Sequence, residues 1–325
     1  MDIDENHPWH LPEHFIELTE NDPKLLYADT DSAYLLYDLP FNKFEDIHQL
    51  VDYIQRIARE LGELYNDALN YYIGNFANMN PTYNTMDFKS EVVAYRGFFN
   101  TKKFYALAKA WDEGNFFEEE PKLKTTGGQI KKSDVTQITK KLLNEIYNVL
   151  VTDMDKQDLV DMYRLIFVQL KNKYKLQIKE DIENMDFTSF SIPKKWGSTK
   201  KSIPPFVTGA KLYNCIMEDT FRPSDSFIVV KVKIDLEKLL NFYDAHDIRM
   251  DRFILQKREV EELKNKINVI SIPPIMDAEQ KLKLLNKMEE LNIRLDYDEI
   301  VEYNIDLKID PFDKLFSDEI RMQVL

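Results

Sequence analysis

Two acidic residues separated by a single threonine, Asp29 and Asp31, stand between two short apolar runs, KLLYA and AYLLY. Lys24 to Leu36 therefore reads as two strands hinged at Asp29-Thr30-Asp31-Ser32, and a tight hairpin is their natural shape. Carboxylates at i and i+2 of a strand project on one face, about 7 Å apart along the chain, and a sharp turn brings them closer. Such a pair invites a divalent cation, and apolar flanks would hold it at the rim of a packed sheet where phosphate can reach. A bare D-x-D is weak, because in a chain with 57 acidic residues most copies are solvated surface. Flanked by two apolar strands, it is much stronger.

The rest of the chain supplies both strand and helix. From Phe44 to about Phe76, apolar residues recur at one-face helical spacing through Ile47, Leu50, Val51, Ile54, Ile57, Leu61 and Leu64, predicting a helix that covers the hairpin's sheet. Asn78 to Thr85 reads as a loop, Phe88 to Trp111 as strand, and Asp112-Glu113-Gly114-Asn115 as a turn. At Gly127-Gly128 the periodicity becomes helical, with Val135, Ile138, Leu142, Ile146 and Val149 on one face, and then Leu159, Met162, Tyr163, Ile166 and Leu170. Ser226 to Ile234 is a strand within this second region. Further helices are expected around Asp235 to Phe242, Met250 to Lys266 and Asp277 to Leu291. The predicted class is α+β, with a leader over 1–22, a sheet-bearing domain over 23–126 and a mostly helical one over 127–325.

Bulk properties bound the function. No apolar run approaches a membrane span and the first twenty residues do not resemble a signal peptide, so no membrane partner and a cytoplasmic location are expected. The single Cys215 removes any disulfide framework and any thiolate zinc site. A net charge of −14 runs against phosphate binding, but its distribution is uneven. Lys122 to Lys141 holds six lysines and one acid, and Lys194, Lys195, Lys200 and Lys201 surround Trp196, which either stacks on a ligand or belongs to the core.

Tyr27-Ala28-Asp29-Thr30-Asp31-Ser32 resembles the YGDTDS hairpin in the palm of family B DNA polymerases, with Ala28 in place of the glycine. The resemblance implies that Asp31 bridges two Mg²⁺ ions, with Asp29 an accessory carboxylate, in two-metal transfer from a dNTP to a primer on primer-template DNA. Such palms continue with an acidic strand residue and a K-K-R-Y element that grips the primer terminus. Here Glu91 precedes Lys102-Lys103-Phe104-Tyr105 by eleven residues, and Phe104 removes one cation. Glu120-Pro121-Lys122-Leu123-Lys124, then Gly127 and Lys131-Lys132-Ser133, resembles the palm-to-thumb junction of T-even-type phage polymerases, whose lysines sit against product-strand phosphates. Lys194 and Lys195 match the first DNA-facing loop of that thumb more loosely. The resemblance thus implies part of a palm, an antiparallel sheet with a covering helix, followed by the thumb.

Asp310-Pro311-Phe312-Asp313-Lys314-Leu315-Phe316 resembles the C-terminal peptide with which such polymerases hold a sliding clamp. Phe312, Leu315 and Phe316 on one helical turn equally suit a last helix packing home. Asp186-Phe187-Thr188-Ser189-Phe190 echoes the family's first aspartate motif but stands after the palm-to-thumb junction, where a thumb strand is expected. His7, His10 and His14 are assigned to the leader and not to a zinc site. No fingers helix and no exonuclease motif occur. One hairpin cannot saturate two ions about 4 Å apart, so an N-terminal polymerase half is expected as partner, with Met1 just upstream of the motif suggesting a separately encoded one. The rival readings are a non-catalytic DNA-binding or clamp-tethering accessory and a D-x-D nucleotide-sugar transferase.

Overall fold

The computed structural model describes residues 24–28, 32–37, 44–77, 79–84, 88–101, 104–117, 122–127, 130, 132–133, 135–151, 156–197, 203–219 and 221–317. They form an α+β protein in which every strand pairing among the described residues is antiparallel. The chain divides into two compact units, one reaching Thr126 and the other comprising Gly127–Leu150 and Met154–Gln323, while Val151–Asp153 groups with the first.

In the first unit, β1 (Lys24–Ala28) and β2 (Ala33–Leu36) pair as a two-stranded sheet, Lys24 opposite Leu36 and Ala28 opposite Ala33. The following helix, α1 (Ile47–Asn75), begins at Asp46, whose carboxylate accepts the Gln49 N–H at 2.8 Å. This satisfies one of the donors that every helix start leaves open. A second sheet is formed by β3 (Val92–Thr101), β4 (Phe104–Asp112), β5 (Asn115–Phe116) and β6 (Lys122–Thr126). Because β4 is paired with β3 on one side and β6 on the other, Tyr105 through Ala110 are all buried. The turn from Asp112 to Asn115 places Glu113 at φ 46° and Gly114 at φ 93°. Two positive φ angles suit a two-residue hairpin turn, and glycine reaches them without steric cost.

The apolar face of α1 packs on the larger sheet. Val51 packs on Val93 and Ala110, with Ile47, Ile54, Trp111 and Phe116 around them, so the helix covers the β3–β5 sheet. A helix of 29 residues is about 43 Å long and far outreaches strands of four and five residues.

The second unit opens with α2 (Gln137–Leu150) and α3 (Lys156–Glu183). One face of α2 buries Ile138, Leu142, Leu143, Ile146, Tyr147 and Leu150, as its period requires. A third sheet is centred on β8 (Ser226–Lys233), flanked by β7 (Ile192–Lys195) and β9 (Val269–Ile272), and β10 (Arg294–Leu295) pairs with its last residues. Around it stand α4 (Pro205–Met217), α5 (Leu236–Ala245), α6 (Lys257–Leu263), α7 (Ala278–Glu290), α8 (Tyr297–Val301) and α9 (Leu307–Ser317). Every residue of α4 from Val207 to Met217 is buried. Its approach to β9 depends on Gly209, where an added Cβ would lie 3.0 Å from both Ser271 N and Val269 O.

Between α8 and α9 the helix widens into a π turn, Glu302–Asp306, and presents Asn304 to the interior. The Asn304 amide donates to the carbonyls of Phe190 at 3.0 Å and Ile300 at 2.9 Å, and its Oδ1 accepts from the hydroxyls of Thr136 and Thr139. The stretch from Asp186 to Phe190 is a set of turns leading into β7. Asp186 accepts the Thr188 N–H at 3.1 Å, while Phe187 and Phe190 are buried.

Candidate active-site hairpin and nucleic-acid interface

The β1–β2 hairpin and the β3–β4 turn meet through three aromatic rings. Phe99 on β3 stands directly opposite Tyr105 on β4, with ring centroids 5.4 Å apart, as expected for cross-strand neighbours on one sheet face. Tyr34 on β2 closes over both, its centroid 5.5 Å from Phe99 and 4.9 Å from Tyr105, and the two tyrosine hydroxyls are hydrogen-bonded. Tyr105 is 8% exposed. A buried phenol needs a partner for its hydroxyl, and the bond between the two tyrosines meets that need.

This cluster sits beside both sequence motifs. Tyr34 is the third residue after Asp31, and Tyr105 the second after Lys103. Asp29, Asp31, Lys102 and Lys103 lie outside the described residues, but the residues flanking each pair are matched in register: Ala28 with Ala33, and Thr101 with Phe104.

Strand β6 adds lysines to the same face. Thr126, Lys124 and Lys122 stand opposite Tyr105, Leu107 and Lys109, and residues directly opposite one another project together. Lys122 is exposed and Lys124 half-buried. Lys109 and Lys122 bracket the Phe117 ring at 5.1 and 5.5 Å. Lys109 also binds Asp112, and this hydrogen bond, aided by the charges of Lys109, Lys124 and Lys122, holds the Asp112 carboxyl below the usual carboxylate range. The positive field of this face is thus registered by its own acid.

Glu91 is placed elsewhere. It is exposed and precedes β3 at the end remote from the Thr101–Phe104 turn, where its carbonyl accepts the Glu113 N–H at 3.0 Å. With ten residues in β3, about 33 Å of strand separates it from that turn. The structure does not bring Glu91 to the aromatic cluster.

In the second unit, Lys132 is exposed, and Lys131 lies outside the described residues. Lys194 and Lys195 end β7, half-buried and exposed respectively. Trp196, open to two readings from sequence, is a core residue, 6% exposed among Val207, Ala210, Phe227 and Val229. Phe312 is also core: it is 3% exposed, with Tyr147 and Phe167 rings at 5.8 and 6.1 Å. Of the two ways to read that segment, Phe312 follows the helix that packs home; Leu315 and Phe316 continue along α9.

Tyr34 and Phe99 were not singled out from the sequence. Aromatics on strands carry no polar signature, and the available hint was their spacing beside two motif ends. Among the described residues no group of three or more His, Cys, Asp or Glu could hold a metal ion, and no helix is long and apolar enough to cross a membrane. Asp29 and Asp31 are hard oxygen donors of the type Mg²⁺ prefers, but two carboxylates fall short of what two ions require. No protein-family model matches the chain, and no curated protein matches it.

Proposed function

We propose that this chain is the C-terminal part of a family B DNA polymerase, in which the first unit completes the palm and the second is the thumb. The observation that carries this reading is the packing of Tyr34 on Tyr105, residues 71 apart, which sets β2, the strand that follows the Tyr27–Ser32 motif, against the last residue of the Lys102–Tyr105 motif. A primer-extension site requires both chemistries that the two motifs carry, carboxylates for metal and lysines for the primer strand.

Asp31 and Asp29 would hold Mg²⁺. Bound there, the ions would neutralise triphosphate charge and sharpen the primer hydroxyl as a nucleophile. The chain's own residues do the rest: Lys102 and Lys103 neutralise primer phosphates, Tyr105 fixes their strand, and Lys122 and Lys124 extend the cationic face toward product DNA. The first aspartate and the dNTP-binding fingers have no counterpart in the sequence, and an N-terminal polymerase half supplies them.

The test is primer extension by this chain mixed with an N-terminal half carrying exonuclease, first-aspartate and fingers motifs. Extension is expected only from the mixture. Asp31→Asn should lower its rate by several kcal/mol of lost charge stabilisation, about a hundredfold or more, with primer-template binding kept. Undiminished extension by the Asn variant would leave the chain a DNA-binding accessory.

A further inference from the structure

Three of the chain's ten arginines converge on one surface of the second unit, although three different segments of sequence supply its cations. Lys195 ends β7, Arg222 lies in the turn before β8, and Arg249 and Arg252 lie in the loop between α5 and α6. The turn is tied to the end of β7 by the Trp196 N–H donating to Asp225 O at 2.9 Å and the Ser224 N–H donating to Trp196 O at 2.7 Å. The loop is tied in by Phe253, whose ring meets Trp196 edge-on at 5.9 Å. Lys195, Arg222, Arg249 and Arg252 are all exposed.

Among the described residues, Asp225 and Asp251 touch the cluster, and both are engaged locally. Asp225 accepts the Arg222 N–H at 2.7 Å. Asp251 accepts the Phe253 N–H at 2.9 Å and one Arg249 guanidinium N–H at 2.6 Å. A positive surplus remains, in a chain whose net charge is −14.

The choice of arginine is informative. The Arg222 and Arg252 guanidinium carbons lie 5.8 and 4.6 Å from the Phe253 centroid. A guanidinium resting on a ring is oriented and weakly hydrated, and its N–H edge matches the forked oxygens of a phosphate. Lysine offers neither property. We propose that Arg222, Arg249, Arg252 and Lys195 form a surface that binds the phosphate backbone of a nucleic-acid strand. It rests on the DNA-binding half of the proposed function and is independent of the metal chemistry. Contacts to phosphates alone make it indifferent to base sequence and sensitive to salt.

The experiment is fluorescence anisotropy of the full chain with two primer-templates of unrelated sequence, across a salt series, and with polyglutamate as competitor. Arg222→Gln/Arg249→Gln/Arg252→Gln should weaken both DNAs equally, by roughly tenfold or more, and reduce the salt slope by about two to three. The triple Lys variant should recover part of the affinity. Should the triple Gln variant melt early, Arg249→Gln alone serves, since its side chain is 70% exposed, and a roughly threefold loss is expected. Unchanged affinity and slope in the variant that folds would overturn the proposal. So would wild-type chain that binds polyglutamate but not DNA, which would mark an acidic protein as the partner. Neither result bears on Asp31, so this surface and the polymerase reading fail separately.

Discussion

Tyr34 and Tyr105 each present a hydroxyl inside a packed ring cluster, so removing one oxygen breaks the hydrogen bond between the two phenols. Tyr34→Phe should cost about 1 kcal/mol of stability. Tyr105→Ala, which also removes the ring from Phe99 and Tyr34, should cost about 3 to 5 kcal/mol. Urea denaturation of the two variants checks both figures. Asn304 makes a sharper case, because it satisfies two threonine hydroxyls and two carbonyls at once inside the second unit. Asn304→Ala should destabilise by at least about 2 kcal/mol, more than any exposed asparagine, since several buried polar groups are stranded together. Tyr105 was legible because it ends a motif of charged residues. Tyr34, Phe99 and Asn304 were not, since their partners are set by tertiary contact and a sequence shows no partner for a lone polar or aromatic residue.

The closest approach of a helix to a strand described above is that of α4 to β9, and its tolerance is small. Gly209→Ala places a methyl 3.0 Å from two backbone atoms, which cannot rotate aside as a side chain can. The expected cost is about 1 to 3 kcal/mol from overpacking, read as a lowered melting temperature with the secondary structure retained in circular dichroism. Helices were the most legible elements: the periodic faces around Ile138 and Leu142 are the buried ones in α2. Short strands were not. Val269–Ile272 is buried on both faces, and its four residues, with Ser271 among them, are too few to show an alternation that marks a strand. The destination of the α1 face was equally hidden, because amphipathic spacing states that a face is buried and not what buries it. The order of the charged motifs gave the candidate site its membership, whereas the aromatic packing of β2 on β3 and β4 emerged only from the fold.

At the scale of the molecule, alkaline pH is the condition that should expose the second unit's core. Burial pushes the Tyr213 phenol up to about 12, and burial likewise raises Tyr147, Tyr174 and Tyr243, the last two helped by neighbouring acidic groups. Unfolded tyrosine ionises near pH 10, so above that pH the unfolded chain releases protons that the folded chain retains. Stability is therefore fully present below about pH 10 and falls between about pH 10 and 12. Urea midpoints should drop across that window, with exposed rings such as Tyr83 ionising first and the last part of the tyrosinate absorbance arriving only with unfolding. Complete ionisation of all the tyrosines with the fold intact would contradict the burial of these rings. A ribbon as narrow as β1–β2 has little rigidity of its own, and the Tyr34 phenol couples it to β4, the central strand of the neighbouring sheet. A force applied at β4 is therefore passed ring to ring into β2, so that ribbon and sheet move as one piece.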